Sequence, residues 1–257
     1  MAINKNWTRD ELIVAFNLYC KIPFSKIYYK HPQIVKLAHI IGRTPSAVAL
    51  KLVNFGRLDP ELQKRNIVGM RHGSKSEETI WNEFRNNWEE LAFEGERIFA
   101  ELKHEPIEKS AGIEDDYLPE EGREREAIVK TRVNQKFFHD TVLASYDNKC
   151  CITGINLPGL LVAGHIVPWS KDKKNRLNPS NGLCLNSLHH AAFDRGFITL
   201  TTDYIITLSK IVFDQKKIDV AKQFFIPYEN KKISLPQRFL PDKSFLEYHN
   251  KHIFIRN

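Results

Sequence analysis

The sequence has no long apolar run, few cysteines and no internal repeat. No apolar stretch approaches the roughly 18–20 residues that span a bilayer, and Met1–Trp7 lacks the apolar core of a secretory signal. The cysteines are too few and too irregularly spaced for a disulfide framework: Cys20, Cys150, Cys151 and Cys184. These absences argue against a membrane-spanning protein, a solenoid and a disulfide-stapled module. We therefore expect a cytoplasmic protein with no membrane partner.

The charge of the chain is unevenly distributed. Its 257 residues carry a formal net charge of +7, and a basic balance suits a polyanionic partner. Lys and Arg number 12 against 4 Asp and Glu in residues 1–73, and 19 against 10 in residues 127–257. Residues 74–126 carry 7 against 17, with two prolines and two glycines between His104 and Gly122. We predict three segments, 1–73, 74–126 and 127–257, in which the acidic stretch near residues 105–126 is a linker or, alternatively, a solvated loop within one domain.

The first basic segment has the pattern of three short helices. Apolar residues recur at helical spacing in Asp10–Lys21, Gln33–Ile41 and Pro45–Phe55. Gly42 ends the second of these segments and separates it from the third. The order of a small residue, a turn glycine and an apolar anchor is typical of a helix-turn-helix, and about 50 residues resemble Myb-like and other tri-helical DNA-binding domains. The alternative is a packing module that touches no DNA. The candidate phosphate contacts are Arg43, Lys51 and Arg57.

A long acidic helix is predicted from Ser76 to about Lys103. Trp81, Trp88 and Phe99 recur at helical spacing on one face, and the negative charge argues against contact with DNA. This face is interpreted as core or as a docking surface, and we expect it to be the contact of a homodimer.

The second basic segment has the order helix, strand, loop, strand, helix. An amphipathic helix is predicted over Thr131–Tyr146, strands over Leu160–His165 and Asn181–Leu185, and a helix that Ser187 caps and Gly196 ends. His190 and Asp194 are four residues apart, so they share a face of the last helix and can together hold a divalent cation. The loop between the strands is basic, with Lys173, Lys174 and Arg176 as candidate contacts to a nucleic-acid backbone.

This order resembles the HNH endonucleases, the ββα-metal nucleases. The strings Gly164–Trp169, Asn181–Leu183 and His190–Gly196 look like the HNH domains of bacterial restriction endonucleases, and similarity extends from Arg132 towards the C-terminal helix over about 120 residues. The fold implied is α+β and multidomain: a small all-α helix-turn-helix domain, a long connecting helix and a C-terminal ββα-metal domain.

The resemblance also implies roles for the site residues. His165 would be the general base, and His190 and Asp194 would bind Mg²⁺, Mn²⁺ or another divalent cation. Asn181 would either hold the loop and orient His165 or help to bind the metal. Many relatives place a further metal ligand where this sequence has Gly164, and His189 is an alternative ligand here.

The function implied is that of a restriction-type endonuclease acting on double-stranded DNA, either unmodified or modified. A transcription regulator with an inactive nuclease domain and a mobile-element nuclease of the homing type are the alternatives. Many HNH proteins carry two Cys-x-x-Cys pairs, whereas Cys150 and Cys151 are adjacent and no second pair is present. We therefore expect no structural zinc.

Overall fold

A computed structural model describes residues 6–66, 73–113 and 118–256. The chain forms two compact units, Met1–Thr141 and Val142–Asn257, and the division falls within one helix. The division into recognition domain, linker and nuclease domain concerns function and stays a prediction. Among the described residues, no helix is both long enough and apolar enough to cross a membrane.

The first unit is built from helices. Those described are α1 (Arg9–Lys21), α2 (Pro32–Ile40), α3 (Pro45–Gly56), α4 (Pro60–Lys64), α5 (Lys75–Phe84), α6 (Trp88–Lys103), α7 (Ile107–Ala111) and most of α8 (Arg123–Ser145).

Local sequence explains the first three helices. Thr8 and Glu11 form a capping box at the start of α1, and the Thr44 hydroxyl accepts a hydrogen bond from the Ala47 amide (3.2 Å) at the start of α3. Gly42 has a φ of +66°, which favours glycine in the turn between α2 and α3. The predicted helices are confirmed, and their apolar faces form a core that includes Phe16.

The prediction of one long helix over residues 76–103 is wrong. The structure has two helices, α5 and α6, because the chain turns at Arg85–Asn87, where asparagines favour caps over helix interiors. Trp81 is only 6% exposed and packs on Phe16 and Tyr19, so it belongs to the core of this unit and is not available as a dimer contact.

Part of the acidic stretch is helical. Helix α7 lies inside it and packs on α6, while Ala111, Val129 and Val133 form a small apolar cluster. Helix α8 begins eight residues earlier than the predicted Thr131.

The second unit carries two small antiparallel sheets and short helices. Strands β1 (Leu161–His165) and β2 (Gly182–Asn186) pair with Leu161 opposite Asn186 and His165 opposite Gly182. Strands β3 (Ile198–Leu200) and β4 (Ile206–Leu208) form the other sheet. The helices are α9 (Ser187–Asp194), α10 (Lys210–Asp214), α11 (Asp219–Phe224) and α12 (Lys243–His252).

Helix α9 follows β2 directly and packs on both β1 and β2. Asn186, and not the predicted Ser187, caps it: the Asn186 side-chain oxygen accepts a hydrogen bond from the His189 amide (3.0 Å). The predicted strand, loop, strand, helix order is confirmed, and it brings the end of β1 next to one face of α9.

Candidate active site

A cleft of about 310 Å³ lies where β1, the loop after it, α9 and α12 meet. Its lining residues are His165, Pro168, Trp169, His190, Asp194, His249 and Ile253. Three of the predicted site residues therefore share one cavity, although they are up to 29 positions apart in sequence.

The orientation of His165 is set by the loop that follows it. Its Nε2 lies 2.8 Å from the carbonyl oxygen of Arg176. A carbonyl only accepts, so Nε2 donates, and in the neutral ring the lone pair is on Nδ1. Burial lowers the pKa of His165 below its ordinary value, and the neighbouring His190 lowers it further. The hydrogen bond to the Arg176 carbonyl and the charge of Asp194 act in the opposite direction. The imidazole is thus neutral near pH 7, the state that a general base requires.

Asn181 closes the loop that carries Arg176. The residue is fully buried, its side-chain oxygen accepts from the Val167 amide (2.8 Å), and its amide nitrogen donates to the Val167 carbonyl (3.1 Å). A weaker contact reaches the Asn175 carbonyl (3.4 Å). Because the side chain is committed to the backbone, this geometry supports the loop-holding alternative over a metal ligand.

His190 and Asp194 form a pair one helical turn apart. The His190 Nε2 lies 3.3 Å from the Asp194 Oδ2, and both side chains are partly exposed. The His190 ring lies over the backbone of β1, because a Cβ placed on Gly164 would be 2.7 Å from His190 Cδ2. Gly164 therefore leaves room for the His190 ring.

The donor set of this pair fits a hydrated divalent cation. One imidazole nitrogen and one carboxylate oxygen are ligands that Mg²⁺ and Mn²⁺ accept, and Mg²⁺ usually keeps several waters and takes substrate phosphate oxygens in addition. In residues 6–66, 73–113 and 118–256 no group of three or more His, Cys, Asp or Glu side chains is arranged to hold a metal. Any cation here would have a small number of protein ligands.

His189 lies outside the cleft. It is 1% exposed, its Nε2 is 2.7 Å from the Phe224 carbonyl oxygen, and its ring contacts Phe225 and Tyr228. These contacts anchor α9 to the end of α11 and to the chain that follows it, so His189 does not serve as the alternative ligand in this arrangement.

Three of the predicted nucleic-acid contacts belong to the loop between the strands. Lys173 and Lys174 are exposed, and Asp172 shapes the turn by accepting from the Lys174 and Asn175 amides. The Arg176 guanidinium lies over the Trp169 ring, with 4.9 Å to its centroid.

The candidate DNA contacts of the first unit are engaged with acids. Arg43 bonds Glu11 through two nitrogens and lies over the Trp7 ring. Lys51, 8% exposed, contacts the fully buried Glu77, and Arg57 pairs with Glu78 (3.0 Å) as well as with Glu77. The burial of Lys51 argues against a phosphate contact.

Among the lining residues of the cleft that the sequence interpretation did not assign, two have aromatic side chains, Trp169 and His249. Trp169 meets the His165 ring edge-on at 5.6 Å, and its position directly after the β1 motif was an available signal. His249 comes from α12; its Nε2 donates to the Phe193 carbonyl (3.1 Å), and its Nδ1 accepts from the Thr199 hydroxyl (2.8 Å). No local signal marked His249, because its partners lie about 50 residues away.

Comparison with known proteins gives one family. No curated protein matches the chain. Residues 150–201 match the family model described as HNH endonuclease, and they include β1, β2, α9 and β3. HNH endonucleases are nuclease hydrolases that generally use a divalent metal. Residues 150–201 of the second unit are therefore similar to an HNH endonuclease domain, and this similarity indicates nuclease activity on DNA.

Proposed function

We propose that the chain is a restriction-type endonuclease that hydrolyses phosphodiester bonds in duplex DNA with a divalent cation, Mg²⁺ or Mn²⁺. The observation that carries this proposal is that His165, His190 and Asp194 line one cleft within the family match. A regulator with an inactive nuclease domain is disfavoured, because the base, its orienting carbonyl and the His190–Asp194 pair are all present.

The proposed chemistry begins at His165. Its Nδ1 takes a proton from a water molecule, and the resulting hydroxide oxygen attacks phosphorus. The bond from phosphorus to the leaving oxygen breaks, the leaving oxygen takes a proton from solvent, and the imidazolium returns its proton to solvent. The Arg176 carbonyl holds the ring in one tautomer during this sequence.

His190 and Asp194 would hold the cation. When bound, the cation would neutralise negative charge on the phosphate and on the leaving oxygen. Asn181 positions the loop, and Lys173, Lys174 and Arg176 are placed by that loop to contact the phosphate backbone.

Recognition is assigned to the first unit. Its turn between α2 and α3 has the sequence pattern of a helix-turn-helix, which is a DNA-binding motif.

Cleavage of plasmid DNA tests the proposal. The purified chain is incubated with unmodified and modified supercoiled plasmid in Mg²⁺, in Mn²⁺ and in chelator, and the cut ends are sequenced. Cleavage is expected with metal, and His190→Ala should abolish it. Leu188→Ala, on an exposed position of α9, is the matched control and should cut normally. Undiminished cutting in chelator would contradict the mechanism.

A homodimer is also proposed. The HNH site lies in the second unit and would hydrolyse one strand at a time, so cutting both strands needs two copies or successive encounters. The test is light scattering of the free and the DNA-bound protein. At least in the DNA-bound state, the protein should have twice the mass of one chain. A monomer in both states that makes only single-strand nicks would overturn this proposal.

A further inference from the structure

Helix α9 carries both proposed metal ligands, and the second of them lies at its C-terminal end. Asp194 is the last residue of the helix and its side chain is half exposed, whereas His190 lies one turn earlier. Helix ends fray, because the last four carbonyl groups have no partner within the helix. A ligand at this position therefore needs contacts from outside α9 to hold its backbone in place.

One such contact comes from His249 on α12. Its Nε2 donates to the carbonyl oxygen of Phe193 (3.1 Å). That carbonyl belongs to the peptide unit that joins Phe193 to Asp194, and because the unit is planar, fixing the carbonyl also fixes the amide nitrogen and the Cα of Asp194. The Gly196 amide donates to the same oxygen (2.9 Å), so two donors hold the plane that carries the ligand.

The His249 ring is itself held in one tautomer. A carbonyl only accepts, so Nε2 carries the proton, and Nδ1 of the neutral ring accepts from the Thr199 hydroxyl (2.8 Å). The ring also stacks on the Phe193 ring, with the centroids 3.8 Å apart and the planes at 20°. His249 borders the cleft, but both ring nitrogens are committed to the protein, so the ring has no lone pair for a cation or for a substrate proton.

The chain after α12 holds the other side of Asp194. The Ile255 amide donates to the Gly196 carbonyl (2.9 Å), and a Cβ added to Gly196 would overlap the carbonyl oxygen of Ile253. The turn that ends α9 is therefore packed closely against backbone. Asp194 lies between two anchoring points, Phe193 and Gly196, which meet α12 and the residues directly after it.

We infer that His249 is a positioning residue for the proposed metal ligand Asp194, because it holds the peptide plane that precedes this ligand. Helix α12 is in this way part of the metal site. The inference rests on the proposed function, and it extends the site beyond the family match, which ends at residue 201. Groups that orient metal ligands typically change metal affinity by about 10- to 100-fold when they are replaced.

Two substitutions of His249 separate hydrogen bonding from packing. His249→Gln keeps a side-chain N–H donor, whereas His249→Phe keeps an aromatic ring that can stack on Phe193 but has no donor. Titration calorimetry of the full chain with Mn²⁺ should show about 10-fold weaker binding for His249→Phe, and binding within about threefold of the wild-type chain for His249→Gln. If His249→Phe preserves Mn²⁺ binding better than His249→Gln, packing alone explains the ring and the inference is overturned.

Asn250→Ala is the matched control, at the next position of α12. The Asn250 side chain donates to the Leu200 carbonyl of β3 (2.8 Å) and to the Leu246 carbonyl within α12 (2.8 Å), so its loss loosens α12 without removing a bond to α9. This variant should unfold at a lower temperature and still bind Mn²⁺ within about twofold of the wild-type chain. Equal losses of Mn²⁺ affinity in Asn250→Ala and His249→Phe would overturn the inference.

Thr199→Val tests the same assignment without a change at His249. It removes the hydroxyl that fixes the tautomer, and it should weaken Mn²⁺ binding about threefold while circular dichroism shows a folded chain. Wild-type affinity in this variant would contradict the inference. If His249→Phe fails to fold, the comparison of Thr199→Val with Asn250→Ala decides in its place.

Cleavage separates the inference from the proposed function. Because the effect acts through the metal ligand, His249→Phe should need about 10-fold more Mn²⁺ for half-maximal cleavage, with the KM for duplex DNA unchanged. A raised KM for DNA at unchanged Mn²⁺ affinity would overturn the inference. A chain whose Mn²⁺ affinity changes as predicted but that never cuts DNA would contradict the proposed nuclease function alone, and a wild-type chain that binds no Mn²⁺ would overturn both.

Discussion

Replacing Asn181 by alanine removes the side chain that closes the loop between β1 and β2. The loss includes two bonds of good length, to the amide and the carbonyl of Val167, at a fully buried position. Each bond contributes about 1 kcal/mol, and each buried group left without a partner costs about 1–3 kcal/mol. We therefore expect Asn181→Ala to lower the free energy of unfolding of the second unit by about 2–4 kcal/mol.

Urea unfolding followed by circular dichroism measures this loss. Asn178→Ala is the matched control: Asn178 caps a single amide, that of Ser180, at a partly buried position, and its loss should cost about 1 kcal/mol or less. Because the loop carries the carbonyl that orients His165, Asn181→Ala should also slow cleavage under conditions where the protein remains folded. An Asn181→Ala chain as stable as the control variant would refute the role assigned to this side chain.

Three further predictions concern the cleft. Burial lowers the pKa of His249 to about 4. Above pH 6.5 the neutral ring therefore contributes about 3 kcal/mol to the free energy of unfolding, and this contribution is lost as the pH falls towards 4. The free energy of unfolding of His249→Gln should depend less on pH over that interval. Gly164→Ala should displace the His190 ring and weaken Mn²⁺ binding, measured by calorimetry, by about 10-fold. Trp169→Leu should lower kcat about 10-fold with little change in KM, whereas Trp169→Phe, which keeps an aromatic ring beside His165, should retain most activity.

The local parts of the site were predictable from sequence. The strand, strand, helix order and the shared helix face of His190 and Asp194 were predicted from sequence, because each signal acts over a few residues. The bonds of Asn181 to Val167 are also short-range, and the sequence left two roles open only because it does not show which way the amide points.

Long-range packing explains what sequence reasoning missed. Trp81 was assigned to a dimer contact because periodicity identifies an apolar face without identifying what covers it, and here Phe16 and Tyr19 cover it. Lys51 was assigned to DNA by its charge, yet Glu77 from a different helix neutralises it. The prediction of a single helix over residues 76–103 was wrong because two asparagines interrupt an apolar face that is otherwise continuous.

The most direct test of the account compares His165→Ala with the wild-type chain. Single-turnover cleavage of a duplex and its equilibrium binding are measured side by side in Mg²⁺ and in chelator. Because the role proposed for His165 is confined to the chemical step, cleavage should fall by a factor of about 10² to 10⁴ while the dissociation constant for DNA stays within about twofold. Cleavage that falls only in proportion to lost binding would make His165 a structural residue and contradict the account.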